Sequence, residues 1–504
     1  MSITGPGSIT ASMLMTQNST NNQLNTLSEE LSSGQAAQTY SGLGSQAGVA
    51  LGLNAQLSAI AGYSNTATTV GTTLTIAQSV LTQLQSASSD VASSVAQQGA
   101  FTLNNDGQTS TQSTAAAQLD QILSLLNTQV GDNYIFSGGA TTQPSVASTS
   151  DILNGTGTQA GLTQVIANRL QADEGADVPP LGRLVIPPAS GSTVSVSEDA
   201  VSPFGFKLAS VNSSLTGATV TGPSGTPPSI SVDLASNPNA GDTISFGLTL
   251  PDGSSQTVSL EATTSSPPGT NQFTIGATAA ATASNLQAAL TSAVGTLAQT
   301  ALPAASAMAA ANNFFTSDPP QVVAGPPYDT ATSLVNGTTA NTVFWYTGEN
   351  GNTPALQTAT AQVGPSTTIS FGMRANEQAI STLVANVAVL AATTYSASNT
   401  NAEASYQALN QKVSANLAGQ SGTQSISDIE ADIANAQTTV TSATSQNTQT
   451  QSTLSDLLQN IDGVNQDQVG EQILTLQNSL SASLSVTARL ASISLLNYLA
   501  PTSG

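Results

Sequence analysis

Apolar residues recur three and four positions apart over two long stretches of the chain. From Leu53 the series Leu53, Leu57, Ile60, Tyr63, Ala67, Val70, Leu74, Ala77, Leu81, Leu84, Ser88, Val91 and Val95 forms a heptad seam with one early irregularity and one polar member. A helix carrying it is about 60 Å long, well beyond the ~10–14 residues of an average globular helix. Near the other end Ile426, Ile429, Ile433, Ala436, Val440, Ala443, Asn447, Thr450, Leu454, Leu457, Ile461 and Val464 repeat the alternation, again over about 60 Å. The start of that segment, "SISDIE", places Glu430 three residues after Ser427 and so predicts a capping box, with Asp428 and Glu430 in the first turn.

Each seam is a single stripe wide, and neither half of the chain offers it another core. The two therefore predict each other as partners in a long antiparallel, coiled-coil-like helical rod built from N- and C-terminal segments. A third helix through Leu119, Ile122, Leu126 and Val130 is expected beside them. The strongest seam positions are Leu74, Leu81, Leu84, Ile433, Leu454 and Leu457. Two unrelated amphipathic helices in separate domains are the plainer alternative.

Between the seams the period changes. Pro and Gly concentrate in "SGTPPSISV", "TSSPPGTN" and "SDPPQVVAGPP", and "TISFGLTLPDGSSQTVSL" sets Ile244, Phe246, Leu248 and Leu250 on one face before turning at Pro251-Asp252-Gly253 into Val258 and Leu260. That pattern is a hairpin with turn chemistry between its strands. An Ala-rich helix, "ATASNLQAALTSAV", follows it. The expected fold is mainly α with an α+β insert.

Outside the seams lie two more stripes. Met13, Leu24, Leu27 and Leu31 mark a sparse one, and Ile473, Leu476, Leu480, Leu484, Leu490 and Leu495 a denser one that ends in "SVTARLASISLLNYLAP". Gly-rich "SSGQAAQTYSGLGSQAGVALG" and "IDGVNQDQVG" separate them from the seams and suggest hinges. Isolated helices are marginal in water, and an uncovered apolar stripe invites association. Leu484, Leu490, Leu495 and Leu496 are thus expected to bind other copies, with Leu24, Leu27 and Leu31 opposite. Residues 1–50 form an N-terminal assembly helix and hinge, 51–139 the first half of the rod and 140–370 the β-rich insert. Residues 371–465 form its second half and 466–504 a C-terminal assembly helix.

Composition acts mainly by exclusion. Charged residues are 7% of the chain, against roughly 25% in an ordinary globular protein. The net charge is −22 and the six basic residues are Arg169, Arg183, Lys207, Arg374, Lys412 and Arg489. Residues 1–168 contain none, so no electrostatic footprint for nucleic acid or an anionic membrane exists there. With no His and no Cys, the usual zinc ligands, the thiolate nucleophile and the commonest neutral-pH base are missing, and no cofactor or metal is expected. "MSITGPGSITASMLMTQNST" has neither the basic start nor the apolar core of a Sec signal, and no run approaches the roughly 18 apolar residues of a membrane span. On those rules alone the default is a cytoplasmic protein.

Candidate chemistry is thin. Asp462, Asp467 and Glu471 lack the residue order of a calcium loop and read as a solvated helix start. Arg374 is expected to pair with Glu377 at i,i+3, and Trp345 to be core rather than a sugar platform. "NYIFSGG", at 133–139, reads as a helix exit into a strand or turn. No catalytic residue is assigned.

Four segments in order, "TLSEELSSGQ", "NYIFSGGATTQPSV", "FGMRANEQAISTLVANVAVLAA" and "ISLLNYL", resemble the bacterial flagellin superfamily, which comprises filament flagellins and the hook–filament junction protein of the hook-associated protein 3 type. The resemblance covers residues 1–140 and 370–500. It implies an extracellular structural subunit for motility, exported without a cleaved signal by the type III route, which reverses the cytoplasmic default. It also implies a homopolymer in contact with other flagellin-family and hook-associated proteins, with an export chaperone at the C-terminal helix. "QAAQTYSGLGSQAG" departs from the Arg-containing continuation of filament flagellins, while "YIFSGG" and "SLLNYL" are closer to the junction protein. A surface adhesin with a carbohydrate-binding insert is the alternative, and a carboxylate hydrolase ranks below it.

Overall fold

The structure, a computed structural model, describes the backbone of residues 6–97, 100–419 and 422–498, and the side chains of 11–97, 100–419 and 422–492. In chain order its helices are α1 (Pro6–Ser33), α2 (Ala47–Ala96), α3 (Ser110–Leu126), α4 (Thr149–Asn154), α5 (Leu162–Glu174), α6 (Ala279–Gln299), α7 (Ala301–Thr316), α8 (Gln378–Ala392), α9 (Ala402–Leu417), α10 (Ile426–Asp462) and α11 (Gln466–Tyr498). The main strands are β1 (Gln129–Val130), β2 (Asn133–Tyr134), β3 (Leu184–Val185), β4 (Thr193–Glu198), β5 (Lys207–Ser213), β6 (Ala218–Ser224), β7 (Ser229–Leu234), β8 (Thr243–Thr249), β9 (Ser255–Thr263) and β10 (Gln272–Thr274). The fold is mainly α with an α+β insert, as the patterning predicts. It divides into two compact units, residues 1–71, 361–369 and 438–504 in the first and 72–360 and 370–437 in the second.

In the first unit α2 buries Ala50, Ile60, Ala67 and Val70, and α10 buries Val440, Ala443, Asn447 and Leu454. The helices meet at Gly71, where a Cβ would lie 3.5 Å from Cγ1 of Val440, an ordinary van der Waals contact. Asn447 is the polar seam member, and its Nδ2 donates to the Val363 carbonyl at 2.8 Å, which satisfies the buried amide. Leu457 departs from the expected seam and is 47% exposed, while Leu458 turns partly inward. A straight helix drifts by about 20° per heptad against a strict seven-residue repeat, and over four heptads that rotates the inward position on by one residue.

The second unit contains the rest of both seams, with Leu74, Leu81, Leu84 and Ile433 almost fully buried. Thr82 Oγ1 donates to Glu430 Oε1 at 3.3 Å. Glu430 is therefore not part of a capping box with Ser427. Ser425 and Asp428 make that reciprocal pair instead, Ser425 N donating to Asp428 Oδ2 at 2.8 Å and Asp428 N to Ser425 Oγ at 3.2 Å. The helix already includes Ser427, and only the last residue before it has the geometry of a cap.

Within the insert, one four-stranded sheet runs β3-β4-β7-β6 and another β10-β9-β8-β5. The hairpin at 243–263 forms in the expected register, Ile244 opposite Leu260 and Phe246 opposite Val258. Both sheets turn alternate residues into one apolar core capped by α6, including Val194, Ile230, Phe246, Phe273 and Leu286. Glu198 continues that alternation on β4 with a carboxylate: it is buried, accepts from Leu208 N at 3.0 Å and pairs with Lys207 at 3.1 Å.

The remaining helices of this unit form a second layer of packing. Helix α3 packs against α8, α7 against α5, α8 and α9. Helix α3 ends at Leu126, so Val130, expected to continue it, lies in the short hairpin β1–β2. Segment 371–425, expected in the second half of the rod, contributes α8 and α9 to this cluster. Gln112 explains the α3–α8 contact in part: it completes a capping box with Thr109, and its Nε2 donates to the Thr393 carbonyl at 2.7 Å.

Arg374 does not pair with Glu377. It precedes α8, bridges to Ser137 in the "NYIFSGG" segment, donates to the carbonyls of Gly351 and Thr353 at 3.0 and 2.9 Å, and lies 3.5 Å from Glu349. Gly138 N donates to Met373 O at 2.9 Å and Ala375 N to Phe136 O at 2.8 Å, so the two motifs that bracket the insert are stitched to each other. Glu377 instead accepts from Gln424 Nε2 at 3.0 Å, and burial raises its pKa. Trp345 is core, its Nε1 donating to Phe315 O at 2.9 Å.

Candidate functional site

Helices α1 and α11 pair in the first unit. Gly34, at φ +70°, ends α1 where its N–H bonds back to Glu30 O at 2.8 Å, the left-handed stop that glycine makes without strain. The chain then meets the α10–α11 join: Gln35 bridges antiparallel to Gly463, Ala36 N donates to Asp462 O at 2.6 Å and Val464 N to Gly34 O at 3.2 Å. The two segments expected to be hinges are thus hydrogen-bonded to one another. Asn465 starts α11 by accepting from the N–H groups of Asp467 and Gln468 at 3.1 and 3.2 Å. At the far end Thr487 Oγ1 reaches Met13 Sδ at 3.9 Å, which makes the pair antiparallel.

Little is buried by this pairing. Among the described side chains of both helices Val469 alone is buried; Met13, Leu24, Leu27, Ile473, Leu476 and Leu480 are half-buried. Leu24 and Leu27 lie on the Met13 face, so α11 of the same chain already covers part of them. Leu31, Leu484 and Leu490 are 37%, 46% and 38% exposed, and Leu14, Met15, Leu474 and Val486 are exposed with them. Leu495 and Leu496 lie outside the residues whose side chains are described. Sequence reasoning missed Leu14, Met15 and Leu474, which fall off the stripe it followed; two adjacent apolar residues at 14–15 and at 473–474 were the available signal.

A groove of about 1130 Å³ follows the junction of the two helices. Met15, Leu27 and Leu476 give it an apolar strip, Asn18, Asn22, Gln468 and Gln472 supply amides, and Glu30 and Glu471 add carboxylates. Asp467 and Glu471 are exposed on the first turns of α11, and among the described residues no group of three or more His, Cys, Asp or Glu is placed to hold a metal ion. Among the same residues no helix is long and apolar enough to cross a membrane.

Long paired helices that leave an apolar surface uncovered are the build of a helical structural subunit. The bacterial flagellin N-terminal helical region matches residues 8–141, from α1 through the "NYIFSGG" bridge, so this part of the chain is similar to the bacterial flagellin family. That family is structural and builds the flagellum outside the cell. No curated protein matches the chain.

Proposed function

We propose that the chain is a self-assembling subunit of the flagellar axial structure, polymerising through the α1–α11 pair into the filament or the hook–filament junction. The observation that carries this reading is the exposure of Leu14, Met15, Leu474, Leu484, Val486 and Leu490 on two helices that bury only Val469 among their described side chains. Covering one such side chain stabilises an assembly by about 1.5–3 kcal/mol before the ordering costs of association. A hairpin with unlike ends makes head-to-tail contacts, which propagate as an open helical array. The neutral Ser, Thr, Asn and Gln faces let identical copies approach without like-charge repulsion.

Extracellular placement by type III export, contacts with other flagellin-family and hook-associated proteins, and shielding of the C-terminal helix by an export chaperone belong to the same reading. Leu484→Asp with Leu490→Asp is the test on purified protein: the double variant keeps its melting transition and stays soluble when mixed with filament seeds. Pelleting at the wild-type concentration would refute the assignment. In cells lacking the protein, hooks without filaments and with shed flagellin indicate the junction role, whereas intact junctions without a propeller indicate the filament role.

A further inference from the structure

Basic residues are distributed unevenly between the two units. Arg169, Arg183, Lys207, Arg374 and Lys412 all lie in the second, each within ion-pair distance of a carboxylate of its own unit: Asp173, Asp199, Glu198, Glu349 and Asp252. The first unit has one basic side chain, Arg489, and six acidic ones, Glu29, Glu30, Asp456, Asp462, Asp467 and Glu471. Arg489 is exposed on α11, and among the described residues it has no ionic partner. Five of the six carboxylates gather where α1 ends and α11 begins. Glu471 and Arg489 are about 27 Å apart along one helix, beyond the reach of side chains within a single copy.

Val486, Arg489 and Leu490 share one face at i, i+3 and i+4, a cation flanked by two exposed apolar residues. The groove near the opposite end has the matching features, Leu27 and Leu476 for the apolar pair and Glu30 with Glu471 for the charge. We infer that the Val486–Leu490 face of one copy docks in the Glu30–Glu471 groove of a second copy, a helix-in-groove contact in which Arg489 sets the stagger between neighbours. The inference rests on the self-assembly reading and adds to it a register. Ridge and groove are different surfaces at different ends of the pair, so the contact is heterologous and does not close on itself. Pairing of unlike charges across such a contact fixes register and partner more than it adds affinity.

The test uses the full chain and filament seeds, with the protein left in solution as the readout. Arg489→Glu raises that concentration at least about tenfold, Glu30→Arg with Glu471→Arg does likewise, and the triple charge exchange restores it. Added salt raises the wild-type value and lowers that of Arg489→Glu, whose new carboxylate repels Glu30 and Glu471 until it is screened. Because the chain has no Cys, Ser485→Cys, one turn from Arg489 on the same face, and Gln472→Cys can be oxidised each alone and as a mixture, and a disulfide-linked dimer is expected only from the mixture. Arg489→Glu polymerising at the wild-type concentration, or Ser485→Cys alone giving the dimer, overturns the docking while leaving self-assembly intact. Wild-type protein that never pellets overturns the self-assembly reading, and the docking with it.

Discussion

Helices α8 and α11 start from similar material and end in different states. Helix α8, "QAISTLVANVAVLAA", buries every residue except Gln378 and Thr382, because α3, α7 and α9 close around it. Helix α11 has more than twice the length, carries Ile473, Leu474, Leu476, Leu480, Leu484, Val486 and Leu490, and buries only Val469 among its described side chains. An all-round apolar helix is finished inside its own chain, whereas a striped one with a single neighbour is left half wet. The lesson is that apolar content does not say where a helix is buried; the number of layers around it does. A surface left so is where the proposed self-assembly would place another copy.

Breaking the comparison at the buried end has the largest effect. Leu383→Asp places a charge inside the α3–α7–α8 packing and is expected to cost about 4 kcal/mol or more, seen as loss of the cooperative melt by circular dichroism. Leu484→Asp on α11 should shift the same melt by no more than about 0.5 kcal/mol; a large shift would mean that the helix is already covered within the monomer. Arg169→Met tests the second unit by leaving Asp173, fully buried and bonded to Gly205 N at 2.9 Å, without its cation. A loss of about 3–5 kcal/mol in denaturant unfolding is expected, with part recovered when Asp173→Leu is added.

Ser425→Ala removes the observed cap of α10 and should cost about 1 kcal/mol, whereas Ser427→Ala, one turn position into the helix, should be nearly silent. Equal effects of the two would return the cap to Ser427. The smallest signal is a pH dependence. Hydrogen bonds from Ser425 hold the Asp428 carboxyl below its ordinary 3.8. Its contribution is therefore present above pH 3.8 and is lost as the pH falls through the lowered value, so amide exchange in the first turn of α10 should quicken in acid and Asp428→Asn should abolish that change.

Much of the candidate surface was legible as a stripe but not as a surface. Leu484 and Leu490 were found by spacing, and they are exposed; Leu24 and Leu27 were found by the same spacing, and α11 covers part of them. Met15 and Leu474 were not found, because a periodicity search keeps one face of a helix and discards the other. The partners of Arg374 and Glu377 were out of reach for another reason. Glu349 and Gln424 are 25 and 47 positions away from them, and nothing in local spacing distinguishes them from other polar residues.

Heptad spacing, turn chemistry and the change of period from helical to alternating were enough to determine the long helices, the hairpin at 243–263 and the division into helical ends and β-rich insert. Those properties depend on residues a few positions apart, where backbone geometry alone relates one side chain to the next. Only the tertiary structure decided that Leu458 rather than Leu457 turns inward, that Ser425 caps α10, that "NYIFSGG" and "FGMRANEQ" are stitched together through Arg374, and that Arg489 has no ionic partner among the described residues. Each of these depends on how separate elements approach in space, and a pattern along one element does not contain that distance.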